Sequence, residues 1–274
     1  MRHFMSNQMD NQLSPVLYFP HGGGPMPLLG DSGHKNMIDF LQAITPTLGN
    51  PSAILVISAH WEENIATITS GKAPSLIYDY YGFPEESYQI KYPAPGDPIL
   101  AQNIFQLLQK SGISAKLNNQ RGFDHGLFVP LKIMYPEATI PCVQLSLIHN
   151  LDPEIHIQIG KALADLRKEN VLILGSGFSF HNLNSFFSNS SNSRDLKNEK
   201  FQEWLIQTCS EKSFSLDERT KRLKNWQDAP FARYCHPREE HLLPLHVCYG
   251  MSDSPAKLVF NNEVMNKKTC AFLW

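Results

Sequence analysis

Runs rich in hydrophobic side chains mark the central strands of this sequence. Four such runs are short and end at Gly, Pro, His or Ser, which is typical of strands covered by other elements on both faces. They lie at residues 16–19, 53–58, 142–147 and 171–177. A shorter strand is predicted at residues 66–69.

Between these runs, hydrophobic residues recur at helical spacing. Helices are predicted at residues 37–48, 99–109, 127–134 and 153–169, through most of 194–226, and in the later part of 237–250. Alternating strands and helices predict an α/β fold: a single domain with a central, largely parallel or mixed sheet flanked by helices. We expect residues 1–14 to form a flexible leader before a domain over residues 15–274, and the Ser/Asn-rich residues 182–193 to form a loop.

Composition narrows the class of protein. The 274 residues are 42% hydrophobic and 18% charged, which fits a compact chain, and the formal net charge is only −2. No basic field indicates a nucleic acid partner, and no apolar run approaches the roughly 20 residues of a membrane span. The polar N-terminus does not resemble a signal peptide, so we expect a cytoplasmic protein. Five scattered cysteines without a C-x-x-C pair predict neither disulfides nor a thiolate zinc site.

Histidines follow three of the predicted strands. His21 follows the first strand, His60 follows the strand at 53–58, and His181 follows the strand at 171–177. Ligands of open α/β sheets bind beyond the carboxyl ends of the strands. We therefore expect these three side chains to meet at one edge of the sheet, although each alone would be an ordinary surface or capping histidine.

Two further histidines lie in polar, turn-rich segments. These are His125, preceded by Phe-Asp, and His241, preceded by Glu239 and Glu240. Imidazole is the commonest metal ligand and also titrates near neutral pH, so a histidine cluster predicts metal binding combined with acid–base chemistry. His246, on an apolar helix face, is predicted to be structural.

Three other patterns carry weaker expectations. Gly22, Gly23 and Gly24 match no phosphate-binding motif and are expected to allow a tight backbone path. Ser58 and Ser176 end strands outside any G-x-S-x-G motif, so a serine hydrolase is disfavoured. The aromatic side chains at 78, 80, 81, 83, 88 and 92 either form a wall for a flat aromatic substrate or pack on the core.

Taken together, the histidine blocks resemble the class III extradiol ring-cleavage dioxygenases, and most closely their 4,5-DOPA dioxygenase branch. The resemblance covers residues 15–250. Its blocks are His21-Gly22, Ser58-Ala59-His60-Trp61, Tyr92-Pro93-Ala94-Pro95-Gly96, Gly122-Phe123-Asp124-His125-Gly126, Gly175-Ser176-Gly177 with His181-Asn182, and Glu240-His241 with Leu245.

The resemblance implies one divalent metal, Fe(II) or Zn(II), held by His21, His60 and His241. His181 would be a fourth ligand or a close neighbour with a catalytic role, and His125 would be the acid–base of the pocket. The substrates would be a small catechol-type, DOPA-like aromatic diol and O2.

Two features depart from the family pattern. Extradiol enzymes commonly use two histidines and a carboxylate, the triad typical of Fe(II) oxygenases, whereas here the third position falls on His241. In addition, Gly23 stands where other branch members have a serine, which affects the expected shape of the pocket.

Two alternatives remain open at this point. Histidines and a metal-bound water would equally serve a zinc hydrolase. The same fold also includes the Memo branch, which is associated with protein partners, so a non-enzymatic binding protein is possible because a fold does not fix a function.

Overall fold

The computed structural model of the chain describes residues 13–186 and 195–274. The predicted leader at 1–14 lies outside the described residues except for its last two positions, and so do residues 187–193 of the predicted Ser/Asn-rich loop. Ser14 is buried, and its backbone N–H donates to the carbonyl of Arg167 at 2.8 Å.

Within the described residues, eight strands form one mixed sheet in the order β4-β3-β5-β2-β6-β1-β8-β7. Strands β5, β2, β6 and β1 run parallel, and β8 and β7 add an antiparallel hairpin at one edge. The strands are β1 Val16–Pro20, β2 Ala53–Glu63, β3 Ala66–Thr69, β4 Ala115–Asn118, β5 Cys142–Ile148, β6 Val171–Gly177, β7 Lys257–Val264 and β8 Lys267–Leu273.

Helices cover both faces of the sheet. The described helices are α1 Lys35–Ile44, α2 Pro98–Lys110, α3 His125–Met134, α4 Pro153–Leu163, α5 Leu183–Phe186, α6 Leu196–Ser210, α7 Leu216–Lys224, α8 Ala232–Cys235 and α9 Leu243–Gly250. The predicted α/β single domain with a helix-flanked mixed sheet is thereby confirmed.

Alternate side chains of the central strands enter two separate cores. On β1, Val16 and Tyr18 pack with the helices α2, α4, α6 and α9, whereas Leu17 and Phe19 pack with α1 and α3. Both sets are fully buried. A strand covered on both faces needs hydrophobic residues at every position, which explains the continuous apolar runs.

Several predicted boundaries were wrong. The helices at 37–48 and 153–169 finish as 3₁₀ turns, Thr45–Leu48 and Ala164–Glu169. Strand β2 continues to Glu63, so His60 lies inside the strand and not after it. Its pairing with β6 nevertheless ends at Ser58, and its register with β5 shifts between Ile57 and Glu62, so His60 lies where the ladder is interrupted.

Two histidines outside the predicted cluster are buried parts of the fold. The Nδ1 atom of His156 contacts the Asp152 carbonyl at 2.7 Å, while its Nε2 accepts from the backbone N–H of Ile148 at 3.1 Å. His246, on α9, contacts the carbonyl of Leu223 at 2.9 Å, which agrees with its predicted structural role.

No helix among the described residues has the length and apolar character needed to cross a membrane.

His156 should make the stability of the fold depend on pH. Burial, opposed by the hydrogen bond to Asp152, lowers the pKa of His156 to about 4. The pKa of a histidine in the unfolded chain is about 6.5. Between these values the unfolded chain binds a proton that the folded chain does not. The free energy of unfolding therefore falls as pH decreases from 6.5 to 4, by at most about 3 kcal/mol from this residue.

Urea unfolding of the metal-free chain at pH 7 and pH 4.5 measures this effect. We expect the difference in unfolding free energy between the wild type and His156→Gln to narrow at pH 4.5, because the variant lacks the titrating group. The matched control is His149→Gln, since the side chain of His149 is 70% exposed. An equal difference at both pH values for His156→Gln would contradict the assignment.

Candidate metal centre

Three histidines reach one point from separate elements. His21 follows β1 directly, and its backbone N–H donates to the carbonyl of Gly177 at 3.1 Å. His60 projects from the interrupted part of β2. His241 precedes α9, and its carbonyl accepts from the backbone N–H of Phe178 at 2.9 Å and from the hydroxyl of Tyr18 at 3.1 Å. A Cβ atom on Gly177 would lie 2.3 Å from that carbonyl oxygen, so this close approach requires glycine.

The Nε2 atoms of these histidines face one another. The Nε2 of His60 lies 2.9 Å from that of His21 and 3.3 Å from that of His241. Ligand nitrogens about 2.0–2.1 Å from one octahedral or tetrahedral ion would be separated by about 2.8–3.4 Å. Both distances from His60 Nε2 therefore match the spacing of two ligands around one metal ion.

Each facing histidine has an acceptor near its other ring nitrogen. The Nδ1 of His21 lies 3.0 Å from the Ser176 hydroxyl, which itself donates to the Gly126 carbonyl. The Nδ1 of His241 lies 2.9 Å from Glu240 Oε1, and the Nδ1 of His60 lies 3.6 Å from Asp79 Oδ2. An N–H on Nδ1 leaves the Nε2 lone pair free, which is the state that a metal requires.

The electrostatics also favour neutral imidazoles. Burial is the largest cause that holds the pKa of His21, His60 and His241 well below the ordinary histidine value, and neighbouring histidines lower the pKa of each further. Unprotonated nitrogens packed at about 3 Å repel one another unless a cation lies among them. The donor set thus fits a divalent metal ion.

His125 lies beside the three nitrogens at the start of α3. Its ring centroid is 3.8 Å from that of His60. Asp79 Oδ1 accepts from the backbone N–H of His125 at 2.9 Å, and it also lies 2.9 Å from His125 Nδ1 but out of line with the ring N–H. Burial opposes ionisation of Asp79, yet the contacts with His125 and His60 outweigh burial and lower its pKa.

His181 lies on the opposite side, stacked on His241. The two ring centroids are 3.4 Å apart and the planes differ by 18°. His181 Nδ1 lies 3.1 Å from Glu240 Oε1, so one carboxylate oxygen serves both rings. Burial opposes ionisation of Glu240, but the His181 contact and the nearby Arg238 leave its pKa lowered. The five predicted site histidines therefore do converge, with His125 and His181 flanking the other three.

The two glutamates before His241 face away from the shared point. Glu240 contacts the Nδ1 edge of the His241 ring, opposite to Nε2. Glu239 pairs with Arg233 at 2.6 Å. Among the described residues, two sets of possible ligand atoms each lie within 4.8 Å of one another: His21, His60 and His125 in one, and His181, Glu240 and His241 in the other. The Nε2 contacts of His60 link the two sets through His241.

Another buried histidine, His34, shapes the glycine loop after His21. His34 Nε2 accepts from the backbone N–H of Gly23 at 2.9 Å, and its Nδ1 lies 2.6 Å from Asp31. Gly22 has φ +89°, and a Cβ there would lie 2.6 Å from Pro27. The loop is thus a tight backbone path beside His21, as its glycines predict.

Comparison with known proteins identifies the family of the chain. Residues 16–272 match the family described as the catalytic LigB subunit of aromatic ring-opening dioxygenase. The chain belongs to this family. It is therefore an oxidoreductase of the extradiol dioxygenase type, and a purely non-enzymatic role is disfavoured.

Individual relatives of this dioxygenase support the assignment over most of its length. The chain is 38% identical to a dioxygenase, tasH, of Hapsidospora irregularis, over 96% of this chain and 86% of that protein. It is 39% identical to a 4,5-DOPA dioxygenase extradiol of Beta vulgaris, over 92% and 93% of the two chains. An uncharacterized protein of Escherichia coli K12 has the same fold, with a TM-score of 0.76 and 29% identity, over 95% of this chain and 99% of that one.

A cavity of about 300 Å³ adjoins the histidines of the dioxygenase on the His181 side. Its walls come from the segment after His181 and from the turn before His241. The lining residues are His181, Asn182, Leu183, Asn184, Pro237, Arg238 and Glu240. This volume lies at the lower end of the range for small-molecule sites.

The aromatic loop mostly packs on itself and on α3. Tyr92 is 2% exposed and its hydroxyl donates to the Tyr135 carbonyl, whereas Tyr81 is 93% exposed. Among the described tyrosines, Tyr80 alone has a ring contact with a site histidine, at 5.8 Å from His125. Tyr92 therefore packs on the core and Tyr81 does not, while a substrate wall in this loop stays a prediction.

Sequence reasoning missed Asp79 and gave Glu240 no specific role. Asp79 lies in the aromatic loop, 46 residues before His125, and the loop reaches α3 because the N–H of Ile77 donates to the Phe123 carbonyl. Neither carboxylate follows a strand, so no local signal marks either. The two strand-end serines do have a role, since Ser176 contacts His21 and Ser58 donates to the buried Asp124 at 2.8 Å.

The different burial of two tyrosines leads to a stability prediction. Tyr92→Ala should lower the free energy of unfolding by about 3–5 kcal/mol, because it removes a buried ring. Tyr81→Ala is the matched control and should change it by no more than about 0.5 kcal/mol. Urea unfolding measures both values. A loss at Tyr81 as large as that at Tyr92 would contradict this packing.

Proposed function

We propose that this protein is a metal-dependent extradiol dioxygenase that opens the ring of a catechol-type, DOPA-like diol with O2. The observation that carries the proposal is the convergence of three Nε2 atoms. The Nε2 of His60 lies 2.9 Å from that of His21 and 3.3 Å from that of His241. In this proposal, His21, His60 and His241 hold one Fe(II) or Zn(II) ion. The names of the plant relatives favour DOPA as the first substrate to test.

Bound Fe(II) would supply the chelation of both diol oxygens and the electron transfer to O2, whereas Zn(II), which has no redox chemistry, would supply the chelation alone. The protein's own contribution is to hold three neutral ligands at fixed spacing and to manage protons. His125 lies beside His60 and its Nδ1 faces Asp79, so its other nitrogen is placed to accept the proton of a diol hydroxyl. His181 lies between the cavity and His241, where it can return a proton to the opening ring.

The cavity has room for a small substituent. It is lined by His181 but by none of the three proposed metal ligands, so a catechol whose oxygens bind the metal would place only its substituent there. We expect a small aromatic diol and O2 as the partners of the protein, and neither a nucleic acid nor a membrane. A cytoplasmic location also stays a prediction.

Reconstitution of the purified chain tests the proposal. Metal-free protein is loaded anaerobically with Fe(II) or with Zn(II) and supplied with a catechol panel that includes DOPA, and O2 uptake and the ring-opened product are measured. We expect one bound metal per chain and activity with at least one catechol. His60→Ala should lose most of the bound metal, whereas His149→Ala should keep it, because His149 is exposed and lies away from the three nitrogens.

Two results would overturn the proposal. Full metal content in His60→Ala would exclude the ligand set. An Fe(II)-loaded wild-type chain that takes up no O2 with any catechol of the panel would instead favour the zinc hydrolase alternative.

His125 should act in chemistry and not in metal binding. His125→Ala is expected to keep one metal per chain and to lower turnover by roughly a hundredfold to ten-thousandfold, the range of general acid–base groups. Metal analysis and steady-state O2 uptake check the two parts separately. Unchanged turnover would refute the catalytic role, and loss of metal would make His125 a ligand.

A further inference from the structure

The side chain of Glu240 joins two site histidines that have different proposed roles. Its Oε1 atom lies 2.9 Å from Nδ1 of His241 and 3.1 Å from Nδ1 of His181. The side chain is only 13% exposed. One carboxylate oxygen thus fixes two rings, and these rings are stacked 3.4 Å apart.

The contact with Glu240 decides which nitrogen of the His241 ring carries hydrogen. An ionised carboxylate only accepts hydrogen bonds, so the Nδ1 of His241, which is hydrogen-bonded to Glu240, donates. A neutral imidazole has one N–H, and therefore the Nε2 atom of His241 is left with a free lone pair. That atom faces His60 Nε2 at 3.3 Å. The Nδ1 of His181 lies within ion-pair distance of the same Glu240 oxygen, and its Nε2 lies on the ring edge opposite to Glu240.

The backbone around His241 is held without Glu240. The His241 carbonyl accepts from Phe178 and from Tyr18, and these bonds fix the position of the residue but not the rotation or tautomer of its ring. The turn is further tied to β2 because Arg238 binds both carboxylate oxygens of Glu62, at 2.5 and 2.6 Å. Removal of the Glu240 charge should therefore change the rings more than the fold.

We propose that Glu240 is a positioning residue that fixes the tautomer of His241 for metal binding and holds His181 beside the metal as a non-ligand. The proposal rests on the metal centre of His21, His60 and His241 proposed above. In this proposal, one side chain determines both how tightly the centre binds its metal and whether the His181 ring nitrogen is free for proton transfer. Hydrogen-bond partners of metal-bound histidines typically contribute 10-fold to 100-fold to affinity.

Zn(II) binding to the full-length chain tests the affinity. A competition titration with a chromophoric chelator gives Kd for the wild type and for Glu240→Gln, in which an amide replaces the carboxylate at nearly the same size. We expect Kd to rise about 10-fold to 100-fold. The matched control is Glu239→Gln, an identical change at the neighbouring residue, whose carboxylate pairs with Arg233 instead. The control should bind Zn(II) as the wild type does.

A spectroscopic readout separates positioning from general loss of stability. Long-range ¹H–¹⁵N spectra of the histidine rings should place the proton on Nδ1 of His241 and of His181 in the wild type. Glu240→Gln should lose this preference, and Glu240→Asp, which restores a carboxylate, should recover part of both the preference and the affinity. His181→Ala should bind Zn(II) as tightly as the wild type, because His181 is not a ligand.

The outcomes distinguish this proposal from the one on which it rests. A wild-type chain that binds no Zn(II) overturns the metal centre and this proposal together. A wild-type chain that binds Zn(II), with Glu240→Gln binding equally tightly, overturns the role of Glu240 alone. A proton on Nε2 of His241 in the metal-free wild type, or a loss of Zn(II) in His181→Ala, also overturns it.

Discussion

The close approach of histidine nitrogens is the constraint on which the site depends. His21 and His60 place Nε2 atoms 2.9 Å apart, where burial disfavours a positive charge on either ring and where two lone pairs would repel when both Nδ1 atoms carry the hydrogen. Such an arrangement costs free energy unless a cation compensates it. The fold holds it by tying each ring or its backbone to elements that are themselves buried, such as Ser176 on β6.

The parallel centre of the sheet explains why residues distant in the chain meet here. β1, β6 and β2 are neighbours, and their pairing ends together at Pro20 with Gly177 and at Ser58 with Ser176. Chain segments that leave these ends must diverge, which opens a crevice at the carboxyl edge. His21 and His60 therefore enter the same space, and the turn that carries His241 closes it by bonding to the first residue after β6.

The sequence was informative where one physical cause dominated. Because the central strands are buried on both faces, they carry hydrophobic residues at consecutive positions. Their locations, and the histidines near their ends, could therefore be predicted. The strands β4 and β7 lie at the sheet edges with several exposed positions, and their short mixed patterns do not differ from those of loops. Asp79 and Glu240 act through contacts across the fold, so spacing alone could not separate Glu240 from Glu239.

The carboxylates around the centre complete its charge balance. Asp79 and Glu240 both have lowered pKa values despite burial, so both are negative at neutral pH beside three neutral imidazoles. A divalent cation among the nitrogens would add positive charge beside both carboxylates, of which Glu240 also has Arg238 at 3.5 Å. The buried Asp124 differs, because burial raises its pKa even though Arg121 lies 3.2 Å away. Asp79 also belongs to the loop that carries Tyr80, whose ring contacts His125. Because one loop supplies both a charge and an aromatic ring next to His125, a change of that loop alters substrate contacts and proton transfer together.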